Sequence, residues 1–329
     1  MNVDVKQRYT YFDSLKFVLI VCVVLGHFLG IDKNNAVNVV IYNFLYSFHM
    51  PLFVFISGFF SKESYKSKSW KDVLLLLEML LFSNLYYCIF FQDCPKNIKE
   101  LLTPWYATWY LLTLAYYRLF INYVPLPNNK KFTILGIAIV LSVLVCFTPA
   151  DRMLSVSRTI AFFPFFLLGY HFKESVKIII KYIKSLNKLF YIFFIVVILI
   201  GFYYSGINFS GFFMCADPDG LRYGLLGGGI RFLFIPFAVV VSICVMALTP
   251  DKPLLATLGK KTLYIFIFHG YLVLLIEYLS NSYEISFNTI ELICLTCFSI
   301  LLILFVSSFN LSNIIFNPIS CIVNHFIKK

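Results

Sequence analysis

The first apolar stretch of the chain, SLKFVLIVCVVLGHFLGI (residues 14–31), carries one charged side chain, Lys16, and one imidazole, His27, eleven positions apart. At about 100° per residue, eleven steps return to within about 20° of the starting direction, and at about 1.5 Å per residue they span roughly 16 Å. A helix here puts the ammonium and the imidazole on one stripe, near opposite ends. Imidazole serves as a base near neutral pH without extensive tuning, and an ammonium is a ready contact for phosphate. Ionisable groups are costly to bury in an apolar span, so both are candidates for function. Each also has a plainer reading: His27 as a hydrogen-bonded helix contact, Lys16 as a side chain reaching back to the headgroups.

The elements that must position these groups are helices in lipid. Hydrophobic residues make up 60% of the 329 and charged residues only 13%, about half the share typical of soluble domains. The expected fold is all-α, a polytopic integral membrane protein organised as a single domain over 1–329. Apolar runs of span length cover approximately 14–31, 39–60, 72–92, 105–122, 132–149, 158–172, 188–205, 230–248, 260–280 and 288–309, ten spans in all. With both termini cytoplasmic, the loops on the inner side collect nineteen of the lysines and arginines and those on the outer side seven, Lys16 being embedded. That alternation follows the bias of cytoplasmic loops towards basic residues. The formal net charge of +11 is then orientation signal and contact with anionic lipid, not a nucleic-acid footprint.

Other candidates fall around this frame. His49 precedes Pro51 in the second span, and His269 lies at similar depth in the ninth; each either lines a channel or holds the helices together. Arg158 and Arg231 open the sixth and eighth spans on the outer side, where a guanidinium can hold a carboxylate or phosphate or stabilise an oxyanion. Asp13 and Ser14 suit a helix cap. His171 and His325 are expected at the inner boundary, solvated. Among nine cysteines, Cys94 and Cys215 are expected to face outward, and no cluster has metal-ligand spacing. The Gly-rich segment 206–229 is long for a loop in a compact protein, and such loops are either functional or idle surface.

The stretch RYTYFDSLKFVLIVCVVLGHF (Arg8 to Phe28) followed by YSFHMPLFVFISGFF (Tyr46 to Phe60) resembles the membrane-bound acyltransferase-3 family, especially its fucose 4-O-acetylase-like branch. TWYLLTLAYYRLF (Thr108 to Phe120), RTIAFFPFFLLGYHF (Arg158 to Phe172) and LGKKTLYIFIFHGYLVLL (Leu258 to Leu275) extend the likeness over nearly the whole chain. The resemblance implies a ten-helix enzyme that moves an acyl group, usually acetyl from cytoplasmic acetyl-CoA, to a hydroxyl of a glycan. The family's basic residue, ten intervening residues and histidine fall on Lys16 and His27. Many members carry arginine at the first position, and lysine keeps the charge but loses the bidentate fork.

On that reading His27 is the general base for the acceptor hydroxyl, and Lys16, His49 and His269 serve the acetyl-CoA cosubstrate. Arg158, Arg231 and Trp109 serve the acceptor, a cell-envelope glycan or lipid-linked sugar. Trp105, Tyr106, Trp109 and Tyr110 near the outer interface can stack on sugars or form an ordinary aromatic belt. No metal is implied, and the expected location is the bacterial inner membrane. A rival class is a transporter or flippase for a lipid-linked sugar, with the same ionisable groups as proton or substrate sites.

Overall fold

The computed structural model describes residues 10–61, 103–104, 106–148, 153–215 and 219–308, with a few positions between 73 and 84. Among the described residues every regular element is helical. The two long N-terminal helices are α1 (Thr10–Leu29) and α2 (Ala36–Ser61). Then come α3 (Trp109–Tyr123), α4 (Lys131–Leu144) and α5 (Val156–His171). The lysine-rich α6 (Lys173–Ser185) leads into α7 (Lys188–Ser205). Two short turns, α8 (Ser210–Met214) and α9 (Asp219–Tyr223), precede α10 (Leu225–Leu248). The chain closes with α11 (Pro253–Gly259), α12 (Thr262–Tyr283) and α13 (Thr289–Ser308).

Among the described residues, seven helical segments are at least 18 residues long and apolar enough to cross a membrane: Thr10–Leu29, Ala36–Ser61, Asn128–Phe147, Lys188–Ser205, Leu225–Leu248, Thr262–Tyr283 and Thr289–Ser308. The expected spans at 105–122 and 158–172 appear as the shorter α3 and α5, of 15 and 16 residues. The expected span at 72–92 lies largely outside the described residues.

A helix that is apolar all round belongs in the middle of a bundle or against lipid, and the two cases separate by burial. α1 is the inner case: Leu15, Leu19, Ile20, Val24, Phe28 and Leu29 are fully buried. It packs against α2, α11, α12 and α13. α7 is the outer case, with most of its leucine, isoleucine and phenylalanine side chains exposed. α2 and α5 form the most extensive helix pair. An added Cβ at Gly58 of α2 would collide with the Phe166 carbonyl of α5, and one at Gly169 of α5 would collide with the Phe55 carbonyl and Phe59 nitrogen of α2. Two glycines facing each other's backbone let these helices touch without side chains between them.

The start of α1 is clamped from the other end of the sequence. The Tyr11 hydroxyl donates to the Met246 carbonyl at 2.7 Å, Ser14 Oγ to the Lys252 carbonyl at 3.2 Å, and Thr10 Oγ1 to Asp251 Oδ1 at 2.9 Å. Gly259 of α11 sits so close to the Asp13 carbonyl that it has no room for a side chain. The helix begins at Thr10, so Asp13 is a buried first-turn residue and not the cap expected of it.

The stretch after α5, expected as a basic loop, folds as the amphipathic α6. Val176 and Ile183 face the protein, and Ile178, Ile179 and Tyr182 are exposed on another flank. Lys173, Lys177, Lys181 and Lys184 share the remaining flank, by their spacing. Three faces of this kind suit a helix lying in the membrane surface. His171, expected to be solvated, is buried and pairs with Asn128 Oδ1 at 3.2 Å; His325 lies outside the described residues.

Replacing Gly169 with leucine is expected to separate α2 from α5 and cost about 1–3 kcal/mol or more through overpacking. Gly136→Ala, at a helical glycine with open space around it, is expected to gain up to about 1 kcal/mol from helix propensity. Thermal unfolding of both variants in the same detergent checks the contrast.

Candidate active site

A cavity of about 340 Å³ opens among one set of helix ends, between the C-terminal part of α1, the first half of α2, the starts of α3 and α5, α8, and α12. His27 lines it from α1, Tyr42, Tyr46 and His49 from α2, Tyr106 and Trp109 at the start of α3, and Arg158 from α5. The histidine is not a lone side chain in lipid. Its ring lies 4.5 Å from that of Tyr106 and 5.2 Å from that of His269. The Tyr46 hydroxyl stands 3.5 Å from His27 Nδ1, the outer limit of a hydrogen bond.

Tyr106 reaches that position at a cost in its backbone. Its φ is 51°, in the left-handed region that a side chain with a Cβ enters only when its surroundings hold it there. The strain lets the ring lie against the His27 imidazole.

The two other histidines are tied to their own helices. His49 Nδ1 faces the Leu45 carbonyl, and His269 Nδ1 faces the Ile265 carbonyl at 3.0 Å. A carbonyl oxygen only accepts, so Nδ1 carries the proton in each, and the neutral ring keeps a lone pair on Nε2. His269 Nε2 is buried with no hydrogen-bond partner among the described residues. In the neutral state these rings can accept a hydrogen bond from a hydroxyl but cannot donate one to a thioester carbonyl from Nε2.

Arg158 lies over the Trp109 ring, its guanidinium carbon 4.9 Å from the ring centre. Lys33 also reaches the cavity, 5.8 Å above the Tyr42 ring. Both cations line the same cavity. A base, hydroxyls, cations and flat aromatic walls in one cleft form a setting for proton transfer to or from a polar, hydroxyl-bearing substrate.

Comparison with known proteins gives the chemistry a name. The family model described as Acyltransferase domain, of the acyltransferase-3 type, matches residues 9–308. The chain belongs to that family. It is also similar to Nodulation protein NolL of Mesorhizobium japonicum, 26% identical over 182 residues, covering 50% of this chain and 48% of that protein. The chain thus spans about half the length of the curated relative it matches. No solved structure matches it.

The structure distributes the remaining candidates unevenly. Lys16 does not line the cavity; its Nζ pairs with Asp13 Oδ1 at 2.8 Å and lies 5.5 Å above the Phe60 ring. Because α1 is unbroken from Thr10 to Leu29, roughly 16 Å of helix separates it from His27. Arg231 does not line the cavity either. It is 1% exposed, and its Nη2 donates to Asp219 Oδ2 at 2.8 Å. The pair sits where Gly220 packs on Cys146 and Phe147, and where Gly227 approaches the Asp219 carbonyl. Arg231 does not open its helix as expected: α10 begins at Leu225 and Arg231 is its seventh residue, where a carboxylate twelve residues earlier folds back onto it. Cys215, expected to face outward, is fully buried, and Cys94 lies outside the described residues.

Sequence reading missed Tyr42 and Tyr46 and left Tyr106 between a sugar platform and an aromatic belt. The signal for the first two was present: Tyr42, Tyr46 and His49 recur at helical spacing on one face of α2. Trp109 and Arg158 both line this cavity.

Because Arg231 and Asp219 are buried together, truncating one strands the other. Arg231→Met alone is expected to cost about 3–5 kcal/mol, and the double variant Arg231→Met/Asp219→Leu substantially less. A double-mutant cycle on thermal stability in detergent measures the difference.

Proposed function

We propose that this membrane acyltransferase moves acetyl from cytoplasmic acetyl-CoA to a hydroxyl of a cell-envelope or exported glycan, with His27 as general base. The observation that carries this reading is the position of the His27 imidazole in a polar cleft, flanked by His269, Tyr106, Tyr46 and Arg158. The membership of an acyltransferase family supports the reaction class.

In this scheme the acceptor hydroxyl gives its proton to His27 as its oxygen attacks the thioester carbonyl carbon. The tetrahedral intermediate collapses with cleavage of the carbon–sulfur bond, and the imidazolium returns the proton to the departing thiolate. The negative charge on the intermediate's oxygen needs a positive neighbour, and Arg158 on Trp109 supplies one. The Trp109 and Tyr106 faces give a sugar ring apolar walls. His49, with an Nε2 lone pair at the cavity wall, holds a hydroxyl of the acceptor, while His269, buried outside the cavity lining, packs against the His27 ring.

The donor enters from the opposite end of α1. Lys16, held by Asp13, faces the phosphates of CoA on the cytoplasmic side, and roughly 16 Å of helix is about the reach of an extended pantetheine arm. Arg231, occupied by Asp219, is assigned a structural part and no substrate contact. The bacterial inner membrane is the location this scheme requires, because donor and acceptor are then met from opposite faces.

The test uses purified protein in lipid nanodiscs with acetyl-CoA, following release of free CoA. His27→Ala is expected to abolish release at unchanged folded yield, and Lys16→Ala to raise KM for acetyl-CoA about tenfold with a smaller effect on kcat. Folded wild-type protein that never consumes acetyl-CoA in the presence of envelope glycan, or full activity in His27→Ala, overturns the assignment.

A further inference from the structure

A second hollow, of about 230 Å³, lies towards the end of the bundle where α2 and α5 finish, and it shares no lining residue with the cavity around His27. Phe55 of α2, Leu168 and Phe172 of α5, Ile179 of α6 and Ile243 of α10 stand in its walls; apart from Ser175 and Ser242, every lining residue is apolar. The hollow is open on one side, and Ile179 at its edge is exposed. Water in such a groove finds few polar partners, whereas hydrocarbon fills it without loss.

One rim of the groove is charged. Lys131, the first residue of α4, holds its Nζ 4.8 Å above the ring of Phe172 and 5.3 Å above that of Phe132. The turn that leads into α4 is tied to the end of α5 by the contact of Asn128 Oδ1 with the buried His171 Nδ1, which keeps the lysine beside Phe172. Among the described residues its ammonium rests on rings and on no carboxylate. An aromatic face holds a cation in place without neutralising it, so the charge stays available to a phosphate. Phe172 also leads directly into α6, the amphipathic helix whose three faces mark the level of the headgroups. The rim that carries the cation is therefore the rim nearest the membrane surface.

We propose that this groove is a binding site for one anionic phospholipid, with an acyl chain lying between α2, α5, α6 and α10 and the headgroup phosphate on Lys131. The leaflet is the one faced by the basic loops. An apolar slot with a single cation at its headgroup end matches the two chemistries of a phospholipid in the order in which the lipid carries them. The Phe55, Phe165 and Leu168 walls flank the crossing of α2 and α5, so the bound chain completes the packing beside that contact.

Native mass spectrometry of the full-length protein in detergent, titrated with dioleoyl phosphatidylglycerol or dioleoyl phosphatidylcholine, tests the site. The expected result is one tightly retained phosphatidylglycerol, held about fivefold more strongly than phosphatidylcholine, as one lysine near a phosphate supplies. Lys131→Gln is expected to remove that preference and leave phosphatidylcholine retention unchanged, while Lys181→Gln, on the basic flank of α6, leaves the preference intact. Ser242→Phe, which fills the groove, is expected to lower retention of both lipids; Ile179→Trp fills it from α6 should the first variant not fold. Equal retention of the two lipids by the wild type, a preference that survives Lys131→Gln, or retention unmoved by filling the groove overturns the proposal. A preference lost equally in Lys181→Gln, which makes it a general surface attraction, or a lipid-free dimer that covers the groove overturns it as well.

Discussion

The contact on which the cleft depends is the crossing of α2 and α5, where Gly58 and Gly169 bring backbone against backbone. In lipid there is little hydrophobic gain in joining two apolar helices, so association rests on close packing and on polar groups that find partners. The glycines supply the first of these. With the axes so near, the outer-numbered halves of the two helices lie side by side. Tyr46 and His49 on one then share a cavity with Arg158 and Phe162 on the other. Every distance in the cleft inherits its accuracy from two missing methyl groups some distance away.

The second source of cohesion shows in how polar side chains are used. His49 and His269 each attach one nitrogen to their own helix backbone, and Ser57 meets the Tyr110 hydroxyl at 2.8 Å between α2 and α3. Thr113 joins Thr159 at 3.0 Å between α3 and α5. These bonds satisfy groups that have no water to turn to, and they leave selected atoms facing the cavity. The cleft is therefore assembled from the polar faces of several helices, each tied down by its own neighbours.

The helical class and most span positions were legible because lipid imposes one rule over about twenty residues at a time, and the apolar runs obey it. His27 was legible for the same reason: an imidazole in a run of valine and leucine stands out. Arg158 and Arg231 had identical local signals, each a cation expected to open a helix, yet one reaches the cavity and the other closes onto Asp219. Nothing near either residue in the sequence distinguishes them, because the difference is made by how a short turn folds back. Tyr42 and Tyr46 were hidden by abundance, since tyrosine is common throughout the chain and its spacing carries weight only once His27 is known to be opposite. α6 was read as a loop because its lysines dominate its composition, while its helical character resides in the interval between them.

The Arg231–Asp219 pair has a consequence for how the protein is made. Its partners are only twelve residues apart, and α10, which contains Arg231, cannot enter hydrocarbon cheaply while the guanidinium is bare. Because the carboxylate leaves the ribosome first, the charge can be cancelled within a single hairpin before the later helices exist. Insertion of this segment thus depends on a local event, and the order of synthesis supplies the counterion ahead of the cation that needs it.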